Sequence, residues 1–303
     1  MKFSHIFILL LLTIIKCSCQ PNRSGEKELV FDAIDLSRQS KAARPIVRTY
    51  TEKFYPAFET TPKVAVALSG FQASYIRPGI SVDLVEATPT SFTYTVTTYP
   101  GASVKAVSVK WFATISPNIN IGYYKEENPV AADIGNGTWM IAGEVPFKSG
   151  IGGEQLRAVA FISGFQFIKY TGVKLSPEVK GVHEENVGLE IYVSKSNIPK
   201  MVNIVVIQYK ETAGSVLHHE TAYNGALYSG IGCRHTTQST TLPNDDYVDY
   251  YALSAFEFAA KRDYIMFYSV TLIDNERDTS VISEFFTHGN SKVHQARGSI
   301  FYI

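Results

Sequence analysis

A short phrase recurs three times along this chain at a nearly constant spacing. It reads Ser69-Gly70-Phe71 in the first copy, Ser163-Gly164-Phe165 in the second and, less closely, Ser254-Ala255-Phe256 in the third. The serines are 94 residues (69 to 163) and 91 residues (163 to 254) apart. This period is the length of one small sandwich domain and is too long for a solenoid repeat. The sequence therefore predicts three related units in tandem.

The segments between these phrases have the periodicity of β-strands. Runs of β-branched and aromatic residues alternate with polar ones, as in residues 92–96 and 189–193. Amphipathic helical spacing is essentially absent after the N-terminal apolar run. We predict an all-β fold of three tandem antiparallel β-sandwich domains, for which a pseudo-threefold arrangement is one way of packing.

The N-terminus has the pattern of a secretion signal. Lys2 precedes an apolar run over residues 6–15 that is too short to span a bilayer and gives way to small and polar residues. We expect a secreted, extracellular protein. We expect no membrane insertion, because no later apolar stretch has membrane length. Two N-glycosylation sequons, at Asn22 and Asn136, fit this location.

Polar, turn-rich stretches divide the chain into candidate domains. The predicted boundaries are a signal peptide at 1–19, an N-terminal extension at 20–45, a first sandwich at 46–116, a linker at 117–137, a second sandwich at 138–212 and a third at 213–303. The extension has no counterpart in the later units. Its apolar residues near 28–36 need a covering surface, and sheet edges accept an added strand. We therefore interpret it as a docking strand, either within the chain or head to tail on the next molecule.

Charge and motif content argue against several classes of protein. Lys plus Arg equals Asp plus Glu at 28 each, so no strong field steers the chain to nucleic acid. No nucleophile elbow, phosphate loop or dinucleotide fingerprint occurs, and the densest groups of metal-ligand residue types lack the spacing of a metal site. We predict a non-enzymatic protein with no cofactor and no metal. Beyond the signal peptide Cys233 is the only cysteine, so an intrachain disulfide is impossible.

Four pieces of the first unit occur in the order and spacing of a known family. They are Phe54-Tyr55-Pro56-Ala57-Phe58, the strand over 62–71, Thr88-Pro89-Thr90-Ser91-Phe92, and the strand over 107–112 that contains Trp111. Together they resemble the H-type lectin domain over about residues 48–116. The resemblance implies a six-stranded antiparallel sandwich, three of which associate as a trimer that binds N-acetylgalactosamine-type sugars near subunit boundaries. One chain with three copies would form that trimer within itself.

The resemblance also implies positions for a sugar site in the first unit. Tyr99 falls where the family often has a stacking tryptophan, and Lys105 falls where some members have tyrosine. The family's usual arginine is replaced by Gly79, with Arg77 two residues away. We take Tyr99, Lys105 and Arg77 as the candidate sugar-binding residues. The alternative for Tyr99 is an ordinary tyrosine of a pleated surface.

Two functions remain open from the sequence. The first is a non-enzymatic glycan-binding adhesion protein of lectin type, whose partners are glycans or glycoproteins. The second is a structural subunit of an extracellular coat or filament, a homo-oligomer assembled by strand addition, in which the sandwich has lost its sugar site. The poor retention of sugar contacts and the unmatched extension motivate the second function.

Overall fold

A computed structural model describes residues 22–30, 44–74, 79–148, 150–153, 155–169, 172–222, 234–241, 248–260, 264–275, 278–287 and 291–303. These ranges form nineteen strands and one 3-10 turn, with no α-helix among them, which confirms the all-β class. The strands are β1 (Asn22–Val30), β2 (Ile46–Lys53), β3 (Lys63–Ser74), β4 (Gly79–Ala87), β5 (Ser91–Thr98), β6 (Ser103–Thr114), β7 (Ile119–Glu127), β8 (Ala132–Asp133), β9 (Thr138–Pro146), β10 (Leu156–Gln166), β11 (Val173–Val182), β12 (Asn186–Ser194), β13 (Met201–Lys210), β14 (Ser215–Ala222), β15 (Arg234–Thr241), β16 (Val248–Ala260), β17 (Tyr264–Asn275), β18 (Asp278–Thr287) and β19 (Ser291–Tyr302). The predicted signal peptide lies outside the described residues.

Three antiparallel sheets link three segments of the chain in a ring. We call residues 22–114 the first segment (β1 to β6), 119–210 the second (β7 to β13) and 215–302 the third (β14 to β19). The sheet orders are β1-β6-β3-β17-β18-β15, β2-β5-β4-β10-β13-β7 and β14-β19-β16-β11-β12-β9-β8. Each sheet therefore joins strands of one segment to strands of another, through the pairs β3–β17, β10–β4 and β16–β11. Because each segment shares one sheet with each of the other two, the segments form a closed ring, as in the predicted pseudo-threefold arrangement.

The recurring serine marks a β-bulge at the same place in every segment. The strand register shifts at Ser69 in β3, at Ser163 in β10 and at Ser254 in β16. A bulge bends its strand and increases its twist. In each case the residues just after the bulge pair with a strand of the neighbouring segment. The repeated phrase is thus the point where a strand turns from its own segment toward the next.

The glycine after the serine allows close approach of the neighbouring strand. A Cβ added at Gly164 would lie 2.5 Å from the Cβ of Ser81 on β4. The pairing of β10 with β4 reaches Gly164, and that of β3 with β17 reaches Gly70. In the third copy Ala255 replaces glycine, and the pairing of β16 with β11 begins one residue later, at Phe256. The imperfect third copy therefore has a structural consequence.

The three phenylalanines of the phrase meet one another on the pseudo-threefold axis. The ring centroids are 5.1 Å apart for Phe71 and Phe165, 5.1 Å for Phe165 and Phe256, and 5.7 Å for Phe71 and Phe256. All three contacts are edge-on, and each residue is 1% exposed. Edge-on aromatic pairs add to the stability that burial alone supplies. We call Phe71, Phe165 and Phe256 the axial triad.

Farther along the axis, equivalent positions carry side chains of unequal size. Two residues before the bulged serine, Phe161 stands with Ala67 and Ala252, and all three are buried. The ring of Phe161 lies 4.8 Å from that of Tyr250, edge-on. A layer with one large and two small residues fills space without overpacking. Three identical chains would have to place the same residue three times in such a layer, so this packing suits one continuous chain.

The predicted linker is wrong, because residues 117–137 contain strands β7 and β8. Asn118, Asn120, Pro129, Gly135 and Gly137 made this stretch look like a turn-rich linker, since these residue types are depleted in strands. Asn120 is buried and satisfied by Lys63 at 2.8 Å and Gln208 at 3.1 Å. A Cβ on Gly122 would lie 2.5 Å from Val145. Tertiary contacts therefore override the local pattern.

The N-terminal extension contributes β1, which pairs with β6 from Asn22↔Thr114 to Val30↔Ala106. Of the predicted docking residues 28–36, only 28–30 are described, and they belong to this strand. β7 pairs with β13 and β14 with β19 in the same way. The prediction that the extension has no counterpart is therefore corrected. The three first strands share a place in the topology although their sequences differ.

Glu26 on β1 ties the first segment to the third. It accepts hydrogen bonds from Ser69 (2.8 Å), Ser108 (2.6 Å) and, on β16 of the third segment, Tyr251 (2.9 Å). The Lys110 ammonium lies 3.3 Å from the carboxylate and 3.7 Å from the Tyr251 ring centre. Burial acts to raise the pKa of Glu26, but the Ser108 hydrogen bond, the Lys110 charge and the other two hydroxyls outweigh it and lower the pKa.

We predict that Phe165→Ala lowers the unfolding free energy by about 3–5 kcal/mol, because it opens a cavity in the axial triad. Denaturant unfolding followed by fluorescence measures the change. The control is Tyr55→Ala, which removes a ring that is 95% exposed and should change stability by about 0.5 kcal/mol or less. A loss at Phe165 no larger than that at Tyr55 contradicts the axial packing.

Glu26 should give stability a defined pH dependence. A carboxyl whose pKa is lower in the folded state stabilises the fold above its unfolded pKa, and this contribution disappears as pH falls through the folded pKa. The stability difference between the wild type and Glu26→Gln should therefore be largest near pH 7 and shrink below about pH 4. Thermal melts across that range measure it. Glu211→Gln, at an exposed ion pair, is the control, and a pH-independent difference for Glu26→Gln would be contrary evidence.

Candidate functional site

The boundary between the first and second segments carries the predicted residue Tyr99. β4 pairs with β10 through Gly79↔Gln166 and the two following positions. Tyr99 follows β5, is half-buried, and donates its backbone N–H to the carbonyl of Gly79 at 3.2 Å. A Cβ on Gly79 would lie 2.9 Å from the Cβ of Tyr99. Glycine at position 79 therefore lets the tyrosine lie close against the boundary strand.

A row of polar groups runs from Tyr99 across the boundary. The Tyr99 hydroxyl lies 3.4 Å from Ser81 Oγ, which donates to Asp83 at 2.8 Å. Asp83 also accepts from Asn203 at 2.9 Å and from Lys125 at 3.3 Å, both in the second segment. We call Tyr99, Ser81, Asp83, Lys125 and Asn203 the Tyr99 site. Two segments thus supply one continuous row of polar groups, in which Ser81 and Asn203 are buried.

Electrostatics keep the Tyr99 phenol neutral. Burial, the largest cause, raises its pKa, and Asp83 and Glu127 act in the same direction, whereas the Ser81 hydrogen bond and Lys125 oppose them. A neutral phenol both donates and accepts hydrogen bonds. Because the residue is half-buried, part of its surface remains accessible. The site therefore combines an aromatic face with a hydroxyl, a carboxylate and an ammonium group.

The structure says less about the other two predicted sugar-binding residues. Arg77 lies outside the described residues. Lys105 is half-buried on β6, beyond the turn that follows Tyr99. The sequence prediction missed Asp83, Lys125 and Asn203. Ser81 and Asp83 lie two residues apart on one strand, and this spacing could have indicated that both belong to the same face as the site. Lys125 lay in the predicted linker, so the sequence gave no signal for it.

The two sequons lie in different surroundings. Asn22 begins β1 and its Oδ1 accepts a hydrogen bond from Thr114 at 2.6 Å. Asn136 is exposed in the turn between β8 and β9, with φ of 50° between two glycines of positive φ. A left-handed backbone at this position suits asparagine. Of the two side chains, that of Asn136 is the more open to modification.

Among the described residues, no three His, Cys, Asp or Glu side chains lie close enough to hold a metal ion. His218 instead places Nδ1 2.7 Å from Ser299 Oγ. Cys233 lies outside the described residues. No described helix is long and apolar enough to cross a bilayer.

Comparison with known families gives a match in the first segment. Residues 49–114 match the sequence model of the H-type lectin domain. The match supports one copy of the domain and does not extend to three tandem copies. Searches of curated proteins and of solved structures found no match. The matched segment holds Ser81, Asp83, Tyr99 and Lys105, so it suggests a carbohydrate-binding, lectin-like role for the part of the chain that contains most of the Tyr99 site.

We predict that Asp83→Ala weakens the boundary between the first two segments. Asn203 is 3% exposed, and its Nδ2 would lose the acceptor it has in Asp83. A buried donor left unsatisfied costs about 1–3 kcal/mol, measured as a lower unfolding free energy.

Glu211→Ala is the matched control for Asp83→Ala. It removes a carboxylate that pairs with Arg157 at 3.2 Å where both side chains are about half exposed or more, so about 0.5 kcal/mol or less is expected. Equal losses from the two substitutions would show that Asp83 does not join the segments.

Proposed function

We propose that this chain is a secreted, lectin-like glycan-binding protein in which three H-type-lectin-like units fold as one intramolecular trimer. The observation that carries the proposal is the Tyr99 site. It lies mostly in the segment that matches the lectin domain, and it is completed by Lys125 and Asn203 of the next segment. The second and third segments repeat the strand pairing of the first, which supports three units although their sequences have diverged.

A saccharide fits the chemistry of the Tyr99 site. The apolar C–H face of a pyranose packs on an aromatic ring, here that of the half-buried Tyr99. Its hydroxyls need both donors and acceptors, which Asp83, Lys125 and the Tyr99 phenol supply within one row. The hydroxyl that donates to the Asp83 carboxylate belongs to Ser81, which is fully buried and does not reach a bound saccharide as a nucleophile, so we propose binding without catalysis.

Sugar affinity should reside mainly at the boundary of the first and second segments. At the equivalent boundary between the second and third segments, the pair Lys174↔Glu257 takes the place of Gly79↔Gln166. Lys174 and Glu257 form an ion pair at 3.5 Å. Ser194 takes the place of Tyr99, because it follows Val193, which pairs with Leu175 as Thr98 pairs with Ile80. The aromatic platform is therefore missing there.

Secretion and adhesion remain proposals that rest on the sequence. The N-terminal apolar run and the sequons support an extracellular glycoprotein, and the exposed turn at Asn136 makes that residue the favoured acceptor. A filament built by β1 has no support in the structure, because β1 pairs along its whole length with β6 of the same chain. We therefore keep the lectin proposal as the better one.

Tyr99→Ala should lower the affinity for the saccharide about tenfold, which corresponds to about 1.4 kcal/mol. A glycan array identifies the ligand, and titration calorimetry with that ligand gives the affinity of each variant. Tyr55→Ala, at a fully accessible ring, is the control and should bind as the wild type does. Unchanged binding by a folded Tyr99→Ala protein would assign the sugar site elsewhere.

A further inference from the structure

The first strand of each segment places one side chain at an equivalent position of a segment boundary. These side chains are Glu26 on β1, Tyr123 on β7 and His218 on β14. Each pairs with a residue of its last strand that in turn pairs with the position two before a bulged serine. The boundary of His218, between the second and third segments, has a cavity of about 520 Å³ lined by β10, β11, β14, β16 and β19.

At the boundary between the first and second segments, the equivalent space contains the ring of Tyr123. Its hydroxyl donates to the carbonyl of Val64 at 2.8 Å and accepts from the N–H of Val66 at 3.1 Å. These two backbone groups point away from β6, along a stretch of β3 that precedes its pairing with β17 at Gly70. The phenol therefore satisfies a part of the strand edge that no described strand covers.

At the boundary between the third and first segments, a tyrosine again occupies the space, this time from the opposite strand. Tyr251 on β16 is buried, and its hydroxyl donates to the Glu26 carboxylate at 2.9 Å. The Lys110 ammonium lies 3.7 Å from the centre of the Tyr251 ring. Two of the three boundaries therefore contain one phenol ring each, and its hydroxyl is hydrogen-bonded in both.

The boundary between the second and third segments has a tyrosine at neither of these positions. His218 stands at the position of Tyr123. Ala160 stands at the position of Tyr251, because each lies three residues before its bulged serine. The His218 side chain is exposed and places Nδ1 2.7 Å from Ser299 Oγ. The cavity therefore lies where the other two boundaries each hold a phenol ring.

One wall of the cavity presents the same two backbone groups that Tyr123 bonds on β3. Ala158 and Ala160 precede their bulged serine by the same distances as Val64 and Val66 do, and their strand has the same register on its partner. The Ala158 carbonyl and the Ala160 N–H therefore point away from β13 and toward the cavity that both residues line. One hydroxyl can bridge this acceptor and this donor, as the Tyr123 hydroxyl does.

The lining and the volume of the cavity suit an aromatic ring. Apolar residues of β10 and β11 contribute to the wall, among them Leu156, Pro177, Val179 and Val182. An apolar cavity of about 150 Å³ is large enough to bind benzene in another protein. The larger volume here leaves room for a ring that carries a substituent. Apolar walls with a few convergent polar groups are the usual features of a small-molecule site.

We propose that this cavity binds a small molecule that carries a phenolic ring. The ring lies between β10 and β11, and its hydroxyl donates to the Ala158 carbonyl and accepts from the Ala160 N–H. The hydroxyl gives the specificity, because a ring without it offers no partner to either backbone group. The inference rests on the equivalence of the three boundaries. It is independent of the proposed saccharide binding and of the Tyr99 site.

Titration calorimetry on the full chain tests the proposal with three probes of similar size. p-Cresol has both the ring and the hydroxyl, toluene has only the ring, and cyclohexanol has a hydroxyl on a saturated ring. We expect p-cresol to bind about tenfold or more tightly than either of the others, because only p-cresol combines both features. No binding of p-cresol, or equal binding of toluene or cyclohexanol, overturns the proposal.

A variant that fills the cavity assigns the binding to it. His218→Tyr places a phenol at the register position of Tyr123, so it should abolish p-cresol binding while thermal melts show an intact fold. The control Ala142→Tyr adds the same ring at an exposed position on β9 and should bind p-cresol as the wild type does. Retained binding in a folded His218→Tyr protein, or equal losses in both variants, refutes the assignment.

A second variant protects the test against misfolding of His218→Tyr. Ala160→Tyr places the ring at the position of Tyr251, from the opposite wall, and should also abolish p-cresol binding. Retained binding in this folded variant overturns the site. Tyr99→Ala should leave p-cresol binding unchanged, so failure of the saccharide site and failure of this cavity give different results. Loss of p-cresol binding in Tyr99→Ala would place the phenol at the Tyr99 site and contradict the proposal.

Discussion

The contact among Phe71, Phe165 and Phe256 is the interaction on which the rest of the structure depends. Three rings can meet at one point only if three strands bend toward a common axis, and the bulges at Ser69, Ser163 and Ser254 supply that bend. The same bend brings each strand beside a strand of the neighbouring segment. The bulges therefore account both for the axial triad and for the three shared sheets.

Three segments joined in a ring within one chain can differ at each of their boundaries. The first boundary carries the Tyr99 site, the boundary between the second and third segments carries an ion pair and a cavity, and the boundary between the third and first is closed by Glu26 and Tyr251. Three identical subunits would repeat one site three times. In this chain the three segments also differ at the axis, where Phe161 of one segment packs with an alanine at the equivalent position of each of the other two.

The sequence predicted the parts of the fold that repeat and missed the parts that only tertiary contacts define. The Ser-Gly-Phe phrase indicated three units and their length, because the bulged serine and the axial phenylalanine recur in each copy. β7 was read as part of a linker because turn-forming residues such as Asn118 and Asn120 are poor strand residues. Only tertiary contacts, such as those of Asn120 with Gln208 and of Gly122 with Val145, explain the strand. β1 was read as an unmatched extension, because the first strands share a topology without sharing a sequence.

The candidate site shows the same limit. Tyr99 was found through the family resemblance, but Lys125 and Asn203 come from a segment far along the chain, and no local pattern links them to Asp83. Composite sites become visible only when the pairing of β4 with β10 is known. The resemblance implied a site near a boundary, and the structure supplies the residues on its far side.

Small-angle X-ray scattering tests most directly whether the three segments fold around one axis within a single chain. A compact particle of this length should have a radius of gyration of about 19 Å at the scattering mass of one chain. Three separate sandwiches joined end to end would give about 25 Å or more at the same mass. The first result is the one the shared sheets predict, and the second would contradict the closed arrangement.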